Sequence, residues 1–332
     1  MGGNALKHLG TVRLNAHLYK LLTDDIQASC LRLLGRTPEL IKSYRKKESF
    51  GDADFLLESD GLQADWVQTM EVEFDSKGSV SNGGVVSMEV AGFQVDFITR
   101  PKHEMLWAET YFGYNDLGNL MGRIAHKMGF KYGHDGLTKV VRSENHVIGE
   151  IKIPAGPDEV FSFMDYHHDV WRVGFDTLEE IFEYAASSIF FDPAIYLLDN
   201  RNHTSRTRDA KRPTYTAFLE WCKSKNGTFN WEAEEKAVWH DYFLTRAFER
   251  WPSVKEQYLA IKAEETRLQN ERILFNGQLV MEWTGAQGKE LGALLTKVKD
   301  APTFNKYLKP YDMHGLKNLT ENIYKEMMEQ VQ

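Results

Sequence analysis

The sequence predicts an α+β fold, in which a small mixed β-sheet with flanking helices precedes a largely helical C-terminal region. Two short stretches, residues 51–57 and 92–98, each combine an apolar run with aspartates, which predicts two strands. Residues 14–35 instead carry apolar side chains at helical spacing. From about residue 213 to the end the chain is mostly of helical character.

In the N-terminal part, the helix over 14–35 is expected to end at Gly35, a residue that favours the left-handed conformation after a helix. Residues 66–75 partly alternate between apolar and polar, which predicts a half-exposed strand. Glycine, serine and asparagine over 79–84 predict a turn, and residues 85–99 predict one or two further strands.

Further along, two short strands are predicted over 139–142 and 147–153. A helix over 178–191 is expected to open at Asp176 or Thr177, with Glu180 in capping-box register. Proline and glycine residues divide the later helices, at Pro213, Pro252, Gly285, Pro302 and Pro310.

The length of 332 residues exceeds one average domain, so more than one is expected. The predicted limits are 1–140 for a catalytic domain, 141–212 for a linking α/β region and 213–332 for a helical domain. With 42% hydrophobic and 27% charged residues, the composition is that of an ordinary globular protein.

No stretch of eighteen apolar residues suggests a membrane span, and the N-terminus lacks the apolar segment of a signal peptide. Cys30 and Cys222 lie far apart without metal-binding spacing, which favours a reducing cytoplasm. The net charge of −8 argues against a protein that coats nucleic acid broadly, but not against one with a local basic groove.

Carboxylates stand at the strand-like runs. Asp52 and Asp54 are one residue apart, so on a strand they project to the same face, and a neighbouring strand would bring Asp96 beside them. Converging carboxylates repel one another unless cations hold them. Hard oxygen ligands suit Mg²⁺, and two such ions assist in-line attack at phosphorus.

This arrangement resembles the nucleotidyltransferase superfamily, which includes DNA polymerase beta, poly(A) polymerases and tRNA CCA-adding enzymes. There an Asp-hydrophobic-Asp pair and a later Asp on a neighbouring strand hold two Mg²⁺ ions and a nucleoside triphosphate. The resemblance covers about residues 1–140, and it implies catalytic and metal-binding roles for Asp52, Asp54 and Asp96.

The resemblance also implies residues that meet the triphosphate. Gly2 and Gly3 resemble the glycine pair that opens superfamily members, with Lys7 as a candidate cation. The family places that pair about a dozen residues before the carboxylates, whereas here the helix over 14–35 intervenes. Either that helix is an insertion, or Ser49 to Gly51 contacts the phosphates; a flexible terminus is the alternative for the glycine pair.

Residues 113–137 are dense in glycine and basic residues and carry an apolar helical stripe. The segment resembles the polymerase-beta-type helix after the third carboxylate strand, which implies nucleotide binding by Asn119, Arg123 and Lys127. Arg123 and Lys127 lie one turn apart, so both can act on one ligand. The alternative is a surface helix with solvated basic residues.

Two other polar stretches stand out. Five basic residues crowd the segment from Arg201 to Pro213, and such clusters can bind phosphates, although a solvated loop is the commoner explanation. The stretch Asp165–Asp169 contains two adjacent histidines that fit no standard zinc spacing, so a polar turn is predicted there.

The segment from Asn276-Gly277 through the glycine-rich stretch 285–292 resembles the C-terminal element of tRNA CCA-adding and poly(A)-polymerase-like proteins. It favours an RNA 3′ end over DNA as the acceptor; an ordinary helical corner is the alternative. Such a combination in one compact chain would suit a bacteriophage protein.

Together these features predict a Mg²⁺-dependent nucleotidyltransferase that transfers a nucleoside monophosphate from a triphosphate such as ATP to an acceptor hydroxyl and releases pyrophosphate. A nucleic-acid 3′ end, more often of RNA or tRNA, is the expected acceptor. A polymerase-beta-like DNA polymerase, an enzyme acting on a protein or a small molecule, and a non-catalytic nucleotide- or RNA-binding protein remain alternatives.

Overall fold

A computed structural model of the chain describes residues 5–225 and 236–330. The strands are β1 Leu14–Asn15, β2 Glu39–Leu40, β3 Ser49–Phe50, β4 Asp52–Glu58, β5 Ser79–Asn82, β6 Val85–Val90, β7 Phe93–Arg100, β8 Phe130–Gly133, β9 Gly136–Ser143 and β10 His146–Lys152. The α-helices are α1 Ala16–Leu34, α2 Trp66–Glu73, α3 Met105–Phe112, α4 Leu117–Lys127, α5 Pro157–Phe163, α6 His168–Val173, α7 Leu178–Ala185, α8 His203–Asp209, α9 Pro213–Ser224, α10 Lys236–Arg250, α11 Pro252–Leu274, α12 Gly277–Thr284, α13 Gly288–Lys299, α14 Phe304–Tyr307 and α15 Met313–Glu329.

The central element is a five-stranded sheet in the order β2-β4-β7-β6-β5. β4 and β7 run parallel at its centre, whereas the other neighbours are antiparallel. Separate sheets pair β1 with β3 and join β10, β9 and β8 in that order. The predicted fold class, a mixed sheet with flanking helices and a helical C-terminal region, is confirmed.

The two faces of the sheet bury different apolar sets. Side chains at alternate positions of β4 and β7, such as Phe55 and Phe97, pack in one core with residues of α1 and α2, including Ile26 and Met70. On the opposite face, Leu56 and Ile98 pack with α3. Because strand side chains alternate between faces, Asp52, Asp54 and Asp96 share the face of Leu56 and Ile98.

Local capping explains the limits of α1. The Asn15 side chain accepts a hydrogen bond from the Leu18 amide at 2.9 Å, which satisfies one of the free N–H groups of the first turn. Gly35 adopts a left-handed conformation, with φ of 68°, and its amide donates to the carbonyl of Leu31. The predicted helix and its glycine stop are confirmed.

The strand predicted over 66–75 is wrong, because the structure has α2 there. Its two buried residues, Trp66 and Met70, are four positions apart and so share one helical face against the core. Packing on that core outweighs the partial alternation of the sequence. The predicted turn over 79–84 is only partly correct, because residues 79–82 form β5.

The predicted strands over 139–142 and 147–153 correspond to β9 and β10. The predicted helix over 178–191 is shorter than expected and ends at Ala185. Its cap is as predicted: Thr177 Oγ1 accepts from the Glu180 amide at 3.2 Å. The polar stretch 165–169 leads into α6, and His168 Nδ1 lies 2.6 Å from Asp158.

The chain forms two compact units, one of residues 1–139 and 152–250 and the other of residues 140–151 and 251–332. In the second unit, α12 to α15 surround a core that includes Val280, Leu294 and Leu316. The domain limits drawn from the sequence stay a prediction. Among the described residues, no helix is long and apolar enough to cross a membrane.

Candidate metal and nucleotide site

The two central parallel strands bring the predicted carboxylates together. In the register of β4 and β7, Asp54 is the direct partner of Asp96, and Asp52 lies two residues before Asp54 on the same face. One carboxylate oxygen of each residue lies within 4.8 Å of the others. Asp52, Asp54 and Asp96 are called the carboxylate cluster below.

Only some of the carboxylate oxygens of this cluster have hydrogen-bond partners among the described residues. Asp96 is 2% exposed and accepts hydrogen bonds from Gln94 Nε2 at 2.9 and 3.2 Å. By contrast, Oδ2 of Asp52 and Oδ1 of Asp54 are buried and have no hydrogen-bond partner within the described part of the chain. Such buried oxygens are costly unless something pairs with them.

Burial and mutual repulsion both favour protonated carboxyls here. Burial, together with the charges of Asp52 and Asp96, raises the pKa of Asp54 to about 7. Burial also raises the pKa of Asp52, and Asp96 adds to this. The pKa of Asp96 is raised by burial, and hydrogen bonds from Ser87 and Gln94 offset part of that rise. A cation among the three groups would lower these pKa values and stabilise the ionised carboxylates.

The chemistry of the cluster fits a divalent hard cation. It offers only carboxylate oxygens, and two of these are buried without partners among the described residues. Mg²⁺ prefers such ligands and is held in proteins by one or two carboxylates together with phosphate oxygens. Asp52, Asp54 and Asp96 are thus the residues that would hold Mg²⁺.

Two cations that the sequence analysis did not assign accompany the cluster. Arg13 donates from Nε to Ser49 Oγ and from Nη2 to the Ser49 carbonyl, both at 2.9 Å. Burial lowers the pKa of Lys47, and the charges of Asp52 and Asp54 oppose that effect. Lys47 precedes Asp52 by only five residues, so proximity to the strand was a usable signal. Arg13 comes near through the pairing of β1 with β3.

Gly51 is the single residue that links β3, which begins at Ser49, to β4. A Cβ added to Gly51 would lie 2.7 Å from Arg13 Nη1, so the absence of a side chain leaves room for that guanidinium. The Tyr19 ring stacks on Phe50 with centroids 3.7 Å apart, and burial together with Asp54 and Asp52 raises the pKa of Tyr19. This end of the sheet therefore combines carboxylates, cations and an open backbone.

The N-terminal segment reaches the same strand. The Leu6 amide donates to Gln94 Oε1 at 3.2 Å, and Gln94 in turn holds Asp96. Lys7 follows directly, at the start of a short 3₁₀ turn, Lys7–Leu9. Gly2 and Gly3 lie outside the described residues, so their predicted role stays a prediction.

Asn119, Arg123 and Lys127 lie on α4, and their hydrogen-bond or ion-pair partners given below belong to residues 192–208. Arg123 Nη2 donates to the carbonyl of Ile195 at 2.8 Å. Lys127 pairs with Asp192 at 3.4 Å, and its ammonium lies 4.1 Å from the centre of the Trp239 ring. The side-chain oxygen Oδ1 of Asn119 accepts a hydrogen bond from Arg208 Nη2 at 3.4 Å. The structure thus groups these residues with a basic segment rather than with the sheet.

Comparisons with known proteins are limited. No protein-family model and no curated protein sequence matches this chain. Solved structures that match include the ternary P/T complex of Leishmania infantum polymerase beta, with 16% identity, a TM-score of 0.31, and coverage of 41% of this chain and 61% of that one. The ternary gap complex of the same protein gives 18% identity, a TM-score of 0.32, and coverage of 40% and 53%. The chain spans less than two thirds of either structure.

Proposed function

We propose that this protein is a Mg²⁺-dependent nucleotidyltransferase that transfers a nucleoside monophosphate from a nucleoside triphosphate to an acceptor hydroxyl. The observation that carries the proposal is the carboxylate cluster. Three aspartates from two neighbouring parallel strands converge within 4.8 Å, and two of their buried oxygens lack partners among the described residues. A purely structural role would have paired those oxygens.

In the proposed reaction, the acceptor oxygen forms a bond to the α-phosphorus. The bond between the α-phosphorus and the oxygen that bridges to the β-phosphorus breaks, and pyrophosphate leaves. Two Mg²⁺ ions, held by Asp52, Asp54 and Asp96, would neutralise phosphate charge and make the acceptor hydroxyl more acidic. Asp96, next to its hydrogen-bonded Gln94, is proposed to help accept the hydroxyl proton.

Arg13 and Lys47 are proposed to contact the triphosphate, because they are the cations that the fold places beside Ser49, Gly51 and the cluster. Fixed positive charge at the phosphates stabilises the charge that develops in the transition state. Lys7 is proposed as a further cation at that edge. Nucleotide binding by Gly2 and Gly3 remains a proposal from the sequence resemblance alone.

The proposed acceptor is a nucleic-acid 3′ end, RNA rather than DNA. Support comes from the resemblance of the 276–292 segment to tRNA CCA-adding and poly(A)-polymerase-like proteins. In the structure, Asn276 caps α12 by accepting from the Leu279 amide at 3.1 Å, and Gly288 opens α13. The cytoplasm is the proposed location, since Cys30 and Cys222 are free thiols that suit a reducing compartment.

The first test compares Asp54→Asn with Asp25→Asn, an exposed aspartate on α1. With labelled triphosphates, Mg²⁺ and RNA acceptors, Asp54→Asn is expected to lower the rate about 100-fold or more, because it removes a ligand to ions worth several kcal/mol. Asp25→Asn should behave as wild type. Full Mg²⁺-dependent activity in Asp54→Asn would refute the proposed role of the cluster.

A second experiment separates the acceptors. The wild-type chain is incubated with each of the four ribonucleoside triphosphates and with matched RNA, DNA, protein and small-molecule acceptors. Label transfer to RNA 3′ ends is expected to exceed transfer to DNA. Transfer confined to protein or to a small molecule, in a reaction that Asp54→Asn abolishes, would keep the chemistry and replace the acceptor. Triphosphate binding without any turnover would indicate a binding protein.

A further inference from the structure

A cavity of about 470 Å³ lies between α4, β8 and residues 200–208, all within the first compact unit. Its volume is in the range of pockets that hold small molecules. None of its lining residues belongs to the carboxylate cluster, and neither Arg13 nor Lys47 lines it. It is called the basic cavity below.

Positive charge dominates the lining of the basic cavity, to which Arg123, Lys131, Arg201 and Arg208 contribute. One buried carboxylate offsets part of this charge: Asp209 accepts from Arg201 at 2.7 Å and from Arg208 at 3.0 Å. Four cations and one carboxylate leave about three positive charges, with His126 counted as neutral. An excess of this kind in a chain of net charge −8 favours an anionic ligand.

Several polar atoms around the cavity are buried without hydrogen-bond partners in the described part of the chain. They are Nε of Arg123, Nε of Arg201, Nδ2 of Asn119 and the hydroxyl of Tyr132. Arg201 is the strongest case, because the residue is only 7% exposed. Unpaired buried donors are costly, and four of them on residues that line one cavity favour a ligand that brings acceptor atoms there.

The remaining lining is suited to a base as well as to a phosphate. Tyr111 supplies a half-buried aromatic ring of the kind on which proteins commonly stack bases, and the buried Phe130 and Tyr132 add apolar wall. Asn119, Asn200 and Asn202 supply amide groups, which can both donate to and accept from the edge of a base. Inorganic phosphate would use the arginines but neither the rings nor the amides.

We propose that the basic cavity binds one nucleotide unit, with its phosphate on Arg123, Arg201 and Arg208 and its base among the aromatic and amide side chains. The ligand is either a free nucleotide or a nucleotide of a bound strand, which share this chemistry. The site goes beyond the proposed transfer reaction, since it uses no residue of the carboxylate cluster, and it stands or falls independently of that activity.

The test uses the full chain with Asp54→Asn as background and EDTA present, so that binding at the carboxylate cluster is suppressed. The double variant Lys131→Ala/Arg208→Ala removes two cations, while Arg201 still pairs with Asp209. Lys211→Ala is the matched control, an exposed lysine of the same basic stretch that does not line the cavity. Titrations use the four nucleoside monophosphates, a short 5′-phosphorylated oligoribonucleotide and inorganic phosphate.

Binding of a monophosphate or of the oligoribonucleotide is expected to weaken about tenfold or more in the double variant and to stay unchanged in Lys211→Ala. If monophosphates and strand are both affected and compete, the ligand is a free nucleotide; if only the strand is affected, it is a nucleotide of nucleic acid. Equal affinities in the double variant and the control, or phosphate binding as strong as nucleotide binding, would overturn the proposal.

A charge-neutral variant checks the location. Gly122 lines the cavity, and a Cβ there would come no closer than 3.7 Å, to the carbonyl of Tyr132. Gly122→Leu is therefore expected to occupy cavity space and weaken nucleotide binding about tenfold, whereas Gly122→Ala should change it much less. Full binding in a folded Gly122→Leu protein would place the ligand elsewhere and refute the assignment.

Discussion

The carboxylate cluster and the basic cavity both belong to the first compact unit, and both involve buried polar atoms that have no hydrogen-bond partner within residues 5–225 and 236–330. In the cluster these atoms are acceptors, held by two strands whose backbones pair directly. In the cavity they are mainly donors, carried by helices and by a segment about eighty residues away along the chain. The first arrangement calls for cations and the second for an anion, so opposite ligand preferences occur within one unit.

The two sites also differ in what their charges do for the fold. Arg201 and Asp209 form a buried ion pair, whereas the three aspartates are like charges that repel. Removing a charge from the cavity should therefore cost stability, and removing one from the cluster should not. Substitutions in the two sites can test this contrast through stability and activity.

Arg201→Ala is expected to lower the free energy of unfolding by about 3 kcal/mol, because it leaves a fully buried Asp209 with only Arg208 as a partner. Urea unfolding of the full chain measures this. Lys211→Ala serves as the control and should lie within about 0.5 kcal/mol of wild type. A loss below about 1 kcal/mol for Arg201→Ala would show that the pair is not a structural element.

The raised pKa values in the carboxylate cluster predict that the stability of the metal-free protein falls as the pH rises. Because the pKa of Asp54 is raised to about 7 in the folded chain, the native state binds its proton more tightly than the unfolded state. Without metal, stability should fall as the pH rises from about 4 to 7. A shift of about three pKa units corresponds to roughly 4 kcal/mol, but carboxyls with a lowered pKa, such as Asp135 and Glu271, act in the opposite direction. The expected net fall is therefore on the order of 1–2 kcal/mol. Asp54→Asn should reduce this fall, and Mg²⁺ should oppose it by binding the ionised carboxylates.

Melting temperatures across that pH range, with EDTA or with Mg²⁺, provide the measurement, and Asp25→Asn is the matched control. A metal-free wild type whose stability rises between pH 4 and 7, with the same slope in Asp54→Asn, would contradict the raised pKa. In that case, repulsion within the carboxylate cluster would not distinguish it from the cavity, where Arg201 and Asp209 attract each other.

The smallest effect concerns Gly51 and Arg13, which lie beside the carboxylate cluster where the phosphates of the triphosphate are proposed to bind. Gly51→Ala is expected to raise the KM for the triphosphate a few-fold. The added Cβ would lie 2.7 Å from Arg13 Nη1, which is too close, so the flexible end of the Arg13 side chain would have to move. Arg13→Ala should raise that KM about tenfold, corresponding to one charge-assisted hydrogen bond. Gly292→Ala, where a Cβ meets nothing within 4 Å, is the control. An unchanged KM in Arg13→Ala would remove Arg13 from the phosphate site.

Much of the carboxylate cluster was predictable because strand alternation is a local rule. Spacing of two placed Asp52 and Asp54 on one face, and a later apolar run placed Asp96 on a strand. The helix over 14–35 was predictable for a similar reason, since its apolar spacing and glycine stop are local too. Local signals failed at residues 66–75, where a short segment took the helical form that buries Trp66 and Met70.

The cations and the cavity depended on contacts between distant segments. Arg13 reaches Ser49 only because β1 pairs with β3, and no local pattern specifies that pairing. The basic stretch 201–212 was visible in the sequence, but a solvated loop was the commoner explanation for it. Only the folded chain shows that Arg201 is buried against Asp209 and faces a cavity shared with α4.

Local sequence patterns were enough to specify which residue types lie on which face of the central strands, because the alternation of side chains is a property of the backbone. The register that sets Asp54 beside Asp96, the approach of Arg13 and Lys47, and the formation of the basic cavity became evident only in the folded chain. Those features arise from packing between segments far apart in the chain, where burial energy outweighs local preference.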